Sequence, residues 1–198
     1  MNRNEIDQEK ALQYIKHFNL ARNGGGVRRY HTHRVVCEDT VASHSWGVAV
    51  LVDMLYGGSA PAQVLRAALY HDVAEHVFGD IPSPAKRLFN NEELRQREDQ
   101  LMRDNGMFTI LTDWERFVMK LADMLDGLTY CVEERERGNT TLIPIWNTYY
   151  VYIHDRINAE ADKFAATVEP AVFNCVMDRL GYTTGLIKLR MESANAQR

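Results

Sequence analysis

Cysteine and proline are scarce in this chain, and long apolar runs are missing altogether. Only three of its 198 residues are cysteines, Cys37, Cys131 and Cys175. Their number is odd, they lie far apart and no two form a CxxC pair. Neither a disulfide framework nor a thiolate zinc site is therefore expected, and a reducing compartment, the cytoplasm, is the natural setting. No stretch of 18 apolar residues occurs, so a helical membrane span is not expected. The opening MNRNEIDQEK lacks an apolar segment behind a basic start, and no secretory signal is expected either. Alternating apolar–polar runs of strand length are nearly absent, which argues against a sheet. Positive charge is also in short supply: 23 Lys and Arg face 27 Asp and Glu, a net charge of -4. A general nucleic-acid binder is disfavoured on that ground.

What is present reads as one all-α domain over residues 1–198. Hydrophobic residues make up 45% and charged residues 25% of the chain, enough to build a single continuous core. Apolar spacing predicts a first helix over 5–21, ended by the glycines at 24–26. A second runs from about Thr40 to Tyr56, with Asp39 or Thr40 as cap. A third runs from Ser59-Ala60-Pro61 to about Val77, with Ser59 as cap and Pro61 in its first turn. The prolines of FGDIPSP force a tight non-helical passage over 78–84. A charged helix follows over Asn91–Asp104. Thr112 with Glu115 forms a capping box that opens a long helix to about Arg137. Further helices cover about 144–165 and, more briefly, 169–180, before a frayed end at ESANAQR.

Polar residues interrupt these apolar helices at three places. Ser43-His44-Ser45 sits in the second, LYHDVAEHVFGD in the third, and Asp123 lies within KLADMLD of the fifth. A bare carboxylate is costly to bury, and a metal ion is one of the few partners able to offset that cost. His71 and Asp72 are adjacent, about 100° apart around a helix axis, and can reach one ion between them. His44 and Asp123 can close the set from neighbouring helices. Two imidazoles and two carboxylates suit Zn, Mn, Co or Fe. Each residue also has a plainer reading: a core histidine for His44, an ion-pair partner of Lys or Arg for Asp123. Glu75, four residues after His71 and three after Asp72, shares their side and is the candidate general acid/base; its plainer reading is a surface salt bridge. Asp80, in the proline-stiffened loop, can hold a substrate hydroxyl or simply serve the turn.

The stretches GGVRRYHTHRVVCEDTVASHSWGVAV, ALYHDVAEHVFGDIPSPAK and VMKLADMLDGLTYCVEE resemble the HD-domain phosphohydrolase superfamily, whose pattern is H…HD…D on a helical bundle. The resemblance spans roughly 12–165. Within it the chain is similar to small bacterial 5′-deoxynucleotidases and to phage HD-type dATP triphosphohydrolases. It implies metal binding by His44, His71, Asp72 and Asp123, Glu75 as catalytic acid, and Asp80 on a sugar hydroxyl. It implies a phosphate contact for Arg29 and a ring near sugar and base for Tyr30, where the group often has Trp. It also implies a deoxynucleotide as small-molecule partner, a homo-oligomer (a dimer or a larger ring such as a hexamer), and a host cytoplasm if the source is a phage. A non-catalytic, nucleotide-binding regulatory protein is the rival of another class.

Charge bears on the length of the phosphate chain. From Lys10 to Cys37 there is no acidic residue, while Arg28, Arg29, His31, His33 and Arg34 cluster ahead of His44. Lys86 and Arg87 follow the IPSP turn, and the GGG loop can offer backbone N–H groups. This supply favours a triphosphate, which carries about four charges and often a second divalent ion, over a monophosphate. A dATP triphosphohydrolase is the leading expectation, and a 5′-deoxynucleotidase the alternative.

Overall fold

The computed structural model describes residues 3–86, 88 and 91–196. Among them nine helices follow in order: α1 (Arg3–Gly25), α2 (Val41–Leu55), α3 (Ala62–Tyr70), α4 (Glu75–Phe78), α5 (Ser83–Lys86), α6 (Asn91–Asp104), α7 (Asp113–Glu136), α8 (Ile143–Ala165) and α9 (Pro170–Ala196). The only extended pairing among the described residues is an isolated antiparallel bridge between Arg28 and Thr40. The fold is all-α, a multi-helix bundle.

Helix α7 is its axis, packing against α2, α3, α8 and α9. It starts at a capping box: Thr112 accepts from the Glu115 N–H, and the Thr112 N–H donates back to Glu115. Phe117, Leu121, Leu125 and Leu128 recur every three or four residues and are fully buried. Each such side chain contributes about 1.5–3 kcal/mol on leaving water. Helix α2 is capped the same way by Thr40 and Ser43, and turns Val48, Val52 and Leu55 onto α7. Trp146, Tyr149 and Tyr150 of α8 are half-buried against the same core. All three cysteines are free.

Five expectations are corrected. Helix α1 does not stop before the glycines but continues to Gly25. Gly24 lies against the turn after α3, where an added Cβ would stand 2.8 Å from the Val73 carbonyl oxygen. The predicted single helix over 59–77 is two, α3 and α4, with a turn at 71–74 between them. Pro61, not Ser59, is the N-cap residue of α3, and the Ser59 hydroxyl donates to the Tyr56 carbonyl. The 78–84 passage is non-helical at 79–82 only, since Ser83 already begins α5. Finally, α9 runs on to Ala196 because Val176, Leu180, Thr184, Ile187, Met191 and Ala194 keep one buried stripe. That burial outweighs the weak helix propensity of Gly181 and Gly185. Among the described residues no helix is long and apolar enough to cross a membrane.

A smaller cluster packs around the turn between α3 and α4. Val73 and Ala74 of the turn pack with Met102 and Met107, and with Leu20 and Phe78. The turn carrying His71 and Asp72 is thereby fixed between α1 and α6.

Candidate metal centre and phosphate pocket

Three helices deliver the cluster. His44 points from α2 into the core, with its side chain out of contact with solvent. His71 caps the end of α3, and its Nδ1 lies 2.8 Å from the Ala68 carbonyl oxygen. The carbonyl can only accept, so in the neutral ring Nδ1 carries the proton and Nε2 keeps its lone pair. His44 is held in the same sense, its Nδ1 being 2.6 Å from Asp126 Oδ2. The two Nε2 atoms face each other at 3.2 Å. Asp72 Oδ2 stands 3.2 Å from the His71 Nε2 and 3.7 Å from that of His44. Ligand-type atoms of His44, His71 and Asp72 all fall within 4.8 Å of one another. Asp123 of α7 adds its Oδ1 at 3.2 Å from His44 Nε2, while its Oδ2 accepts from Lys120 at 2.5 Å. Both readings of Asp123 thus meet in one side chain, one oxygen facing the cluster and one an ion-pair partner.

Inward-facing imidazole lone pairs beside two carboxylates repel one another unless a cation lies among them. The donor set therefore fits a divalent metal ion. The local field agrees. Burial disfavours the charged form of His71, but Asp72 and then Asp123 outweigh it and raise the group to about 9. Burial likewise opposes ionised Asp72 and Asp123, yet His71 for the first and Lys120 with both imidazoles for the second hold them below the ordinary carboxylate range.

Beside the cluster opens a cavity of about 410 Å³. Its polar lining comes from Asp72, Glu75, Asp123 and Lys120, from Arg29, Tyr30 and His33, and from Asp80 and Lys86. Pro144, Ile145, Thr148 and Tyr149 of α8, with Met124, close the apolar side. Glu75 begins α4, is buried, and has an Oε2 with no hydrogen-bond partner, so the surface salt-bridge reading does not hold. Burial first, then Asp72 and Asp80, push its carboxyl up to about 8.

The loop 26–40 orders the arginine wall. The Arg29 N–H donates to the Asp39 carbonyl at 3.0 Å and its guanidinium to Asp39 Oδ2 at 2.8 Å. Tyr30 adopts φ 54, a left-handed conformation that costs an aromatic residue about 1–3 kcal/mol. Its N–H donates to Asp80 Oδ2 at 3.2 Å, and its ring stacks on Tyr130 at 4.7 Å. Asp80 therefore also clamps the loop. Glu134 anchors the far end, accepting from the N–H groups of Val36 and Cys37. Gly127 makes room for the ring of Tyr149, which an added Cβ would meet at 2.5 Å.

Not every expected substrate contact reaches the cavity. Arg28 pairs with Glu38 at 2.7 Å on the outside, because the bridge to Thr40 turns alternate residues of the loop opposite ways. Arg34 is exposed, and only its carbonyl is engaged, by Asn139 and Thr141. Neither lines the pocket. The GGG segment is spent locally: Gly24 and Gly25 belong to α1, and the Gly26 N–H donates to Asn23. Arg87 lies outside the described residues. Sequence reasoning missed Lys120, Asp126, Met124, Thr148 and Tyr149 as site residues. The available signal was the spacing on α7, where Lys120, Asp123 and Asp126 follow at intervals of three.

A family model described as 5'-deoxynucleotidase YfbR-like matches residues 16–105, a span that holds Arg29, His44, His71, Asp72, Glu75 and Asp80. A 5'-deoxynucleotidase of Cronobacter sakazakii is 25% identical over 207 residues, covering 91% of this chain and 100% of its own length. The 5'-deoxynucleotidase YfbR of Escherichia coli is 25% identical over 190 residues, 81% of this chain and 92% of its own. Among solved structures, an HD-domain phosphohydrolase from Listeria innocua is similar with TM-score 0.60 and 18% identity, over 89% of this chain and 99% of that one. Cyanophage S-2L HD phosphohydrolase (DatZ), bound to dA and one catalytic Zn2+ ion, is similar with TM-score 0.57 and 19% identity, over 84% and 95%.

Proposed function

We propose that the chain is a metal-dependent 5′-deoxynucleotidase of the HD-domain phosphohydrolase superfamily, hydrolysing deoxynucleoside monophosphates to a deoxynucleoside and orthophosphate. The observation that carries this reading is the cavity itself, in which an open ligand cluster adjoins a small number of cations. Arg29 is paired with Asp39 and Lys120 with Asp123, which leaves Lys86 as the lining cation with no ion pair among the described residues. A monophosphate of about two charges matches that supply. The larger supply inferred from the sequence counted Arg28 and Arg34, which face elsewhere. Names of the relatives point the same way.

His44, His71, Asp72 and Asp123 would hold the ion, with Zn, Mn, Co and Fe all suited to the donors. When bound, such an ion polarises a phosphoryl oxygen and activates water near neutral pH. Arg29 offers its guanidinium to the non-bridging phosphate oxygens, fixed in direction by Asp39. Glu75 holds a proton for the departing 5′ oxygen from a buried position three residues past Asp72. Asp80 accepts from a sugar hydroxyl with the carboxylate that already receives the Tyr30 N–H. Tyr30, Tyr149 and Met124 line the part of the cavity left for sugar and base.

A second reading, dATP triphosphohydrolase with an additional divalent ion on the phosphates, is favoured by His33 and Lys86, which add basic groups to the same cavity. One assay separates the two. Deoxy- and ribonucleoside mono- and triphosphates are offered with Mn, Co or Mg, and the released phosphate species is identified. Orthophosphate from deoxynucleoside monophosphates is expected; triphosphate release from dATP would reverse the order. Substrate binding without any phosphate release would mark a regulatory protein. The homo-oligomeric state expected of this group is supported by exposed Trp46 and Met54 on α2 and Tyr182 and Leu186 on α9.

A further inference from the structure

The two imidazoles of the cluster are backed differently. His71 Nδ1 faces a neutral carbonyl, that of Ala68. His44 Nδ1 faces the carboxylate of Asp126 at 2.6 Å. Asp126 lies one turn beyond Asp123 on α7, so a single helix supplies one carboxylate in front of the His44 ring and another behind it. It is not among the residues that line the cavity.

The seat for Asp126 is built into α2. Gly47, one turn after His44, faces it so closely that an added Cβ would stand 1.9 Å from Asp126 Oδ1. Any side chain at position 47 would push the carboxylate off the imidazole. Arg29 completes the arrangement, with its guanidinium 3.9 Å from the same Oδ2. The phosphate-facing arginine and the buried histidine thus share one acidic residue.

We propose that Asp126 is a positioning residue, seated by Gly47, that fixes the proton of His44 on Nδ1 and turns an electron-rich Nε2 toward the metal. A charged acceptor behind a ligating imidazole orients the ring and raises its basicity, and losing one commonly costs about 10–100-fold in metal affinity. His44 is on this account the stronger of the two nitrogen donors. The inference rests on the metal-centre reading given above.

The test uses the full chain, stripped of metal and titrated with Zn2+ against a chromophoric chelator. Asp126→Ala should weaken zinc binding by about 10–100-fold while the metal-free protein keeps its helical circular dichroism. Asp126→Asn, which retains an accepting oxygen without the charge, should recover part of that loss. Gly47→Ala should weaken binding in the same direction with the carboxylate still present, and it decides the matter if Asp126→Ala fails to fold. The His44 Nδ1–H proton of the zinc-loaded protein gives a readout that general loosening would not reproduce. It should be strongly deshielded in the wild type and move upfield in Asp126→Asn. Unchanged zinc affinity in folded Asp126→Ala, or an unmoved ring proton, overturns the inference and leaves the metal centre standing. A wild type that binds no zinc overturns both.

Discussion

Replacing Asp72 with alanine is expected to leave a folded protein that neither retains metal nor releases phosphate. Asp72 occupies the turn between α3 and α4, and its Oδ2 approaches both imidazole Nε2 atoms, at 3.2 and 3.7 Å. Without it the imidazoles keep Asp123 as the one facing carboxylate, and that residue already shares its charge with Lys120. Metal assistance supplies several kcal/mol of transition-state stabilisation, and each 1.36 kcal/mol is tenfold in rate, so a loss of at least about 10³-fold follows. The fold should survive, because the turn is secured by Val73 and Ala74 against Met102 and Met107 rather than by the carboxylate. Elemental analysis after gel filtration, run beside phosphate release, checks both halves. A metal-replete, active variant would remove Asp72 from the site.

The second large effect is expected at Glu75. Glu75→Gln preserves shape and burial but cannot deliver a proton, and kcat should fall by about 10²–10⁴-fold while metal content and KM stay near wild type. The basis is geometric: a buried carboxyl lining the cavity, with one oxygen lacking any hydrogen-bond partner. Buried polar atoms are seldom left so, and an unmet one beside a ligand cluster suggests a partner that arrives with substrate. Removing it should not destabilise the metal-free protein. Steady-state kinetics together with a thermal melt separates this from a packing defect. Unchanged kcat would assign the proton to another group.

Much of the arrangement was legible in the chain because local signals and burial agreed. Thr112 with Glu115 announces α7, and the spacing Phe117, Leu121, Leu125, Leu128 states which face is inside. The isolated polar positions His44 and Asp123 stand out for the same reason. The break between α3 and α4 was not legible, since no glycine or proline marks it. It is closed by tight backbone hydrogen bonds such as Val73 N–H to Tyr70 and by the His71 ring on Ala68. The end of α9 was misjudged because Gly181 and Gly185 suggest a stop that only the buried stripe overrides. Arg28 and Arg34 were counted as substrate contacts because sequence proximity to Arg29 does not reveal which way a loop residue faces; the Arg28–Thr40 bridge decides it. Asp126 escaped notice because its partner is 82 positions away, on another helix.

The proposed chemistry requires one ion bound between α2, α7 and the turn after α3. An anomalous-scattering map from crystals grown with zinc or manganese tests this most directly. A peak bonded at about 2.0–2.2 Å to His44 Nε2, His71 Nε2, Asp72 and Asp123 is predicted. A map with no peak there, or with its ion bound by other side chains, would contradict it.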